Sequence, residues 1–154
     1  MKWNYNDGGR KLAGFKGSTG DCVTRAIAIA TGKPYKEVYN DLFTRAKEYS
    51  KTRRNKIAKS IQKYGATPRN GMWKEIYRPY LESLGWKYKV GNVKLNEFPA
   101  GTYICSVRKH LTVVKDGELY DTWDCSMRSG GIDWSTGEEY DADYRTAFHH
   151  YVKE

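Results

Sequence analysis

Residues 16–31 read Lys16-Gly17-Ser18-Thr19-Gly20-Asp21-Cys22-Val23-Thr24-Arg25-Ala26-Ile27-Ala28-Ile29-Ala30-Thr31, a glycine-bearing string that runs straight into an apolar segment. Val23, Ala26, Ile27 and Ala30 share one face at helical spacing and the remaining positions are mostly small or apolar, which predicts a largely buried helix over 22–31. Thr19 or Asp21 is placed to cap its start, and Gly32 followed by Pro34 supplies a stop. Toward the N-terminus, residues 1–20 carry five glycines and no clear period. They read as an irregular arm held on the domain by Trp3, Tyr5 and Phe15.

Toward the C-terminus, Tyr35, Val38, Tyr39, Leu42, Phe43 and Ala46 predict an amphipathic helix from Pro34 to Tyr49. The stretch 50–71 is basic and poor in large apolar residues. It reads as an insertion in which Ile57, Ala58 and Ile61 support one weak helix before Gly65. A firmer helix follows from Met72 to Leu84. Beyond Gly85 the period shifts toward two: Trp86, Tyr88 and Val90 alternate with lysines, and Tyr103 to Val107 is a short apolar run. His110 to Val114, the turn Lys115-Asp116-Gly117 and Glu118 to Trp123 give the strongest hairpin signal. Met127 to Gly137 reads as a glycine-rich loop and Arg145 to Val152 as a last strand. Helices first and an antiparallel sheet afterwards define a single α+β domain over 1–154.

At 154 residues the chain is long enough to bury a core without staples. No apolar stretch reaches membrane-spanning length, and the polar start lacks the apolar run of a signal peptide, so the expected location is the cytoplasm, with no membrane partner. Three cysteines, Cys22, Cys105 and Cys125, are an odd number that fits free thiols in a reducing compartment. The net charge of +9 favours acidic partners. Arg45, Lys47, Lys51, Arg53, Arg54, Lys56, Lys59 and Lys63 crowd one segment relieved by Glu48 alone, so the basic 45–69 region is the expected contact surface for an acidic protein or a nucleic acid.

Cys22 falls in the first turn of a helix, where backbone N–H groups favour thiolate over thiol and can donate to a developing oxyanion. Asp21 opposes the thiolate by like charge, and Arg25, one turn on, supports it. Of the three histidines, His110 alone lies outside the final residues, and it begins a strand, where one ring nitrogen can face a thiol while the other is fixed by a neighbouring acceptor. A two-residue Asp116-Gly117 turn puts Asp121 on the His110 face. A three-residue loop slips the return strand by one and presents Asp124 instead. Metal binding by Cys22, Cys105, His110 and Cys125 is a competing use of these side chains, although no CxxC-like pair brings two ligands together locally. His149 and His150 are adjacent, so in a strand they point to opposite faces. No metal and no cofactor are expected.

The string KGSTGDCV resembles the nucleophile segment of papain-like cysteine peptidases, a Gln-Gly-Ser-x-Gly-x-Cys run leading into a central helix. HLTVVKDGELYDTW is similar to that family's histidine strand, turn and return strand, which ends in Asn-Ser-Trp where this chain has Asp121-Thr122-Trp123. The resemblance implies a papain-like fold and a Cys22, His110 and Asp121 triad, with Asp121 preferred over Asp124 and Trp123 shielding the orienting side chain from water. It implies a thiol peptidase, isopeptidase or acyl transferase acting on protein amide bonds. Lys16 stands where the family carries the Gln that donates to the oxyanion, so Asn4 or Asn6 of the arm is a possible substitute. The chain is also similar to small uncharacterised proteins of bacteriophages, which implies a bacterial cytoplasm. A basic nucleic-acid-binding module and an inactive inhibitor that keeps a hydrolase scaffold are the alternatives to an enzyme.

Overall fold

The structure is a computed structural model and describes residues 1–17 and 19–153; Ser18, part of the glycine-bearing string, lies outside them. Helix α1 spans Cys22–Thr31, as its apolar spacing predicts, and stops at Gly32, whose φ of 75° lets the chain leave in the left-handed region. Helices α2 (Tyr35–Thr52), α3 (Lys56–Tyr64) and α4 (Lys74–Ser83) follow. Asn55 caps α3 by accepting a hydrogen bond of 2.9 Å from the Ala58 amide. The 50–71 stretch is more than a surface excursion: Ile61 and Ala66 are buried with Ala46 of α2 and Ile76 of α4 in a cluster of their own.

The strands are β1 (Trp3–Tyr5), β2 (Trp86–Lys94), β3 (Thr102–Val107), β4 (His110–Lys115), β5 (Glu118–Asp121) and, after four short strands described below, β10 (Thr146–Lys153). They form one six-stranded sheet in the order β1-β5-β4-β3-β10-β2. The expectation of an antiparallel sheet is corrected at one edge: β1 pairs with β5 in parallel, making the sheet mixed. The arm is therefore not irregular throughout, because its first residues complete the sheet. The last strand does not sit at an edge either. It inserts between β2 and β3, pairing antiparallel with both.

Two tight hairpins set the register beside the site. Lys115 pairs with Glu118 and Val113 with Tyr120, so the connection is the two-residue Asp116-Gly117 turn. Both central residues have positive φ, 48° and 79°, the type I′ geometry that matches the twist of the strands. Val107 pairs with His110 across Arg108-Lys109, where Lys109 also takes a positive φ of 57°.

The sheet is covered on both faces. On one, α1, α2 and α4 bury Val23, Ile27, Val38, Leu42 and Leu81 against Ile104, Leu111, Val113 and Tyr151. On the other, Leu95, Phe98, Tyr103, Cys105, Val114, Leu119, Cys125 and Ala147 form a second cluster. Residues 127–144, read from sequence as a loop, form two small antiparallel ribbons: β6 (Met127–Arg128) with β9 (Asp143–Tyr144), and β7 (Gly131–Ile132) with β8 (Glu139–Tyr140). Among the described residues no helix is long and apolar enough to cross a membrane.

Candidate active site

Cys22 opens α1, and the pocket over it is lined by Thr19, Gly20, Asn70, Gly71, Met72, Tyr77, Lys109, His110 and Trp123, among others. The helix start and the mouth of β4 thus share one cavity. The side chains of Thr19 and Asp21 do not cap α1, contrary to expectation. The Asp21 carboxylate turns inward instead, accepting from Arg25 and from the Tyr35 hydroxyl, and its second oxygen lies 3.0 Å from the Arg10 Nε.

The two-residue turn brings Asp121, and not Asp124, to the His110 ring. With Lys115 opposite Glu118, Asp121 falls opposite Thr112 and on the His110 face, and its Oδ2 lies 2.6 Å from His110 Nε2. Asp124 serves its own turn, accepting from the Ser126 amide at 3.0 Å and from the Ser126 hydroxyl at 2.6 Å. Asp121 is only 3% exposed, and each carboxylate oxygen has partners. Oδ1 accepts from the Thr122 amide at 2.7 Å, and Oδ2 accepts from the Cys125 thiol at 3.5 Å as well as from the ring. The Trp123 ring lies beside His110 with centroids 5.2 Å apart and planes tilted by 48°, and is itself 45% exposed.

With Nε2 committed to Asp121, Nδ1 is the ring nitrogen left for Cys22. Burial raises the thiol's pKa, but hydrogen bonding from His110 and the Leu111 amide, together with the positive charges of His110 and Arg25, outweighs it, so the net displacement is downward. Burial also disfavours a charged imidazole, yet the hydrogen bond to Asp121 and those to the neighbouring thiols push the His110 pKa up to about 11. Asp121 is held below the usual carboxylate range: burial works the other way, and pairing with His110 together with the hydrogen bonds it accepts, the Thr122 amide's among them, outweighs it. The three groups favour a thiolate–imidazolium pair backed by a carboxylate, an arrangement able to attack a carbonyl and to return a proton to its leaving group.

Other expectations meet a different outcome. Lys16 lines the neighbouring cleft with Arg10, Lys11 and Phe15, not the Cys22 pocket, and its carbonyl accepts from Arg10 at 2.8 Å. Neither arm asparagine is directed to Cys22. Asn4 donates to the Leu119 carbonyl at 3.3 Å along the edge strand, and Asn6 accepts from the Gly8 amide at 2.8 Å in a local turn. The Thr19 hydroxyl, which sequence reasoning offered only as a cap, is buried without a hydrogen-bond partner on the wall of the Cys22 pocket.

The four-ligand set of Cys22, Cys105, His110 and Cys125 does not assemble. Cys105 is fully buried in the second cluster, where burial drives its thiol pKa far up. His110, Asp121 and Cys125 do bring one donor atom each within 4.8 Å of one another. The 2.6 Å between Nε2 and Oδ2 is a hydrogen-bond distance, shorter than the roughly 3.3 Å that separates two ligands of one tetrahedral zinc. His149 and His150 point to opposite faces, the first against Tyr88 and the second against Phe98.

Two features escaped the sequence. Cys125 donates to the Asp121 carboxylate, and the arm holds the Asp121 backbone: its carbonyl accepts from the Asn6 amide and from Trp3 Nε1, each at 3.0 Å. Only an expectation of strand character in Trp3-Asn4-Tyr5 could have signalled the second. No protein-family model matches the chain, and no curated protein or solved structure matches it either.

Proposed function

We propose that the protein is a cysteine-dependent hydrolase or acyl transferase of the papain-like type, acting on protein amide bonds through Cys22, His110 and Asp121. The observation that carries the reading is the 2.6 Å bond between His110 Nε2 and Asp121 Oδ2, made by a ring that lines the same cavity as Cys22 at the head of α1. The thiolate attacks the substrate carbonyl carbon, and the carbonyl electron pair moves to oxygen. The oxyanion is received by the Cys22 amide at the helix start. His110 gives its proton to the departing amine as the tetrahedral intermediate collapses to a thioester. Water or an acceptor amine then attacks the thioester with His110 taking its proton, and the sulfur leaves as thiolate. Asp121 fixes the ring orientation and stabilises its charge throughout.

The exposed cations along α2, α3 and the link between them, among them Arg45, Lys47, Lys51, Arg54, Lys59 and Lys63, favour an acidic protein substrate captured by long-range attraction. The chemistry is tested by incubating the full chain with a panel of fluorogenic peptides and with a haloacetamide. Wild-type protein is expected to release the fluorophore and to be alkylated at Cys22. A Cys22→Ala variant as active as wild type, or a Cys22 that iodoacetamide modifies no faster than free cysteine at pH 6, would overturn the reading.

A further inference from the structure

We infer that Arg25 is a positioning residue of the site, its guanidinium bridging the two buried carboxylates of Asp21 and Asp121 so that one side chain orients the triad's acid and biases the charge of Cys22. The inference rests on the proposed Cys22–His110 pair and adds a fourth member to it.

The geometry runs from one end of the guanidinium to the other. Arg25 Nη1 donates to Asp21 Oδ1, one helical turn earlier, while Nη2 lies 3.9 Å from Asp121 Oδ1 on β5. Arg25 is 8% exposed and its Nε is buried without a partner. A guanidinium is costly to bury unless anions are close. Here both anions are themselves buried, at 1% and 3% exposure. Lysine could not span them in the same way, because a planar fork reaches two acceptors with fixed spacing and an ammonium is a single point of charge.

Each carboxylate is secured from its far side. Tyr35 and Arg10 hold Asp21, and His110, Thr122 and Cys125 hold Asp121. The bridge therefore ties the start of α1, which carries the thiol, to the end of β5, which carries the acid. These two elements have no covalent neighbour in common.

The test reads the thiol and needs no substrate: the pH dependence of iodoacetamide alkylation at Cys22 in the full-length chain, followed by peptide mapping. The ionisable and charged groups around that sulfur are His110 and Lys109 at the mouth of β4, Tyr77 on α4, Arg25 and Asp21 on and before α1, and Asp121 behind the ring. Arg25→Met is expected to raise the midpoint, lowering the alkylation rate below it by roughly tenfold, and Arg25→Lys to fall between Met and wild type. Asp21→Asn, which removes the opposing charge, is expected to move the midpoint down. A loss of packing alone would not produce shifts of opposite sign.

Should Arg25→Met fail to fold, the Lys and Asp21→Asn arms carry the test. A wild-type midpoint equal to that of a free thiol would overturn the Cys22–His110 pair and the inference with it. A depressed wild-type midpoint that His110→Ala raises, but that Arg25→Met (or, if that variant fails to fold, Arg25→Lys and Asp21→Asn) leaves in place, would overturn the inference alone.

Discussion

Strand β5 has two neighbours, and they reach it by opposite routes. On one side β4 arrives through a two-residue turn, so the pairing is local, cheap in loop entropy and written in adjacent residues. On the other side β1 pairs Trp3 with Leu119 and Tyr5 with Asp121 across more than a hundred residues of chain. Asp121 depends on both. The local neighbour delivers His110 to its carboxylate, and the distant one anchors its carbonyl through Asn6 and Trp3. The difference teaches that a short-range signal brought the reactive groups together while a long-range contact, silent in the sequence, holds one of them still.

The sharpest way to break this comparison is on the local side. His110→Ala is expected to return Cys22 to the range of an ordinary thiol, slowing its alkylation at pH 6 by on the order of 10²-fold. If the loss is less than severalfold, the hairpin does not deliver what its register implies.

A pH series probes the same side through stability. The His110 pKa, raised to about 11 in the folded chain, lies above the roughly 6.5 of an unfolded histidine. Its contribution to stability is therefore complete below about 6.5 and drains away as pH rises toward 11. Asp121, depressed on folding, contributes above the ordinary carboxylate range and loses that contribution as pH falls through its folded value. Cys22 titrates with the sign of Asp121, so the measurement belongs in a Cys22→Ala background. There, urea midpoints should fall more steeply between pH 7 and 10 than in the double variant Cys22→Ala with His110→Gln.

Smaller effects separate the two flanks. Gly117 takes a φ of 79° and a Cβ there would meet open space, so Gly117→Val costs backbone conformation alone, about 1–2 kcal/mol, read as a lower urea midpoint with an unchanged slope. Trp3→Phe removes one hydrogen bond to the Asp121 carbonyl and should cost about 1 kcal/mol. If Trp3→Phe slows Cys22 alkylation while Gly117→Val does not, the distant flank governs the site more than the local one.

The parts of the fold legible in the sequence are those whose cause is local. The apolar face of residues 23–30 placed α1, and Asp116-Gly117 marked the hairpin turn but left its length, and with it the register of Asp121, open. What stayed hidden depends on partners far along the chain. Trp3-Asn4-Tyr5 is too short to show a period, and nothing in Thr146 to Lys153 announces a central strand instead of an edge. The ribbons of residues 127–144 have two-residue strands, below the length at which alternation exists. Arg25 read as a charge favouring the Cys22 thiolate and Cys125 as one of a metal-ligand set; their contacts with Asp121 stayed hidden, because only the folded chain brings that carboxylate near.

The placement of β10 between β2 and β3 carries a consequence for the order of assembly. Residues 146–153 are made after every other strand, yet they form the seam on which two earlier strands depend. A growing chain still emerging from the ribosome holds β2 and β3 without the partner they share, so β2 has no place in the sheet until residues 146–153 are made. The order of synthesis thus sets β2 apart from the hairpins that carry His110 and Asp121, whose pairing residues are all made earlier.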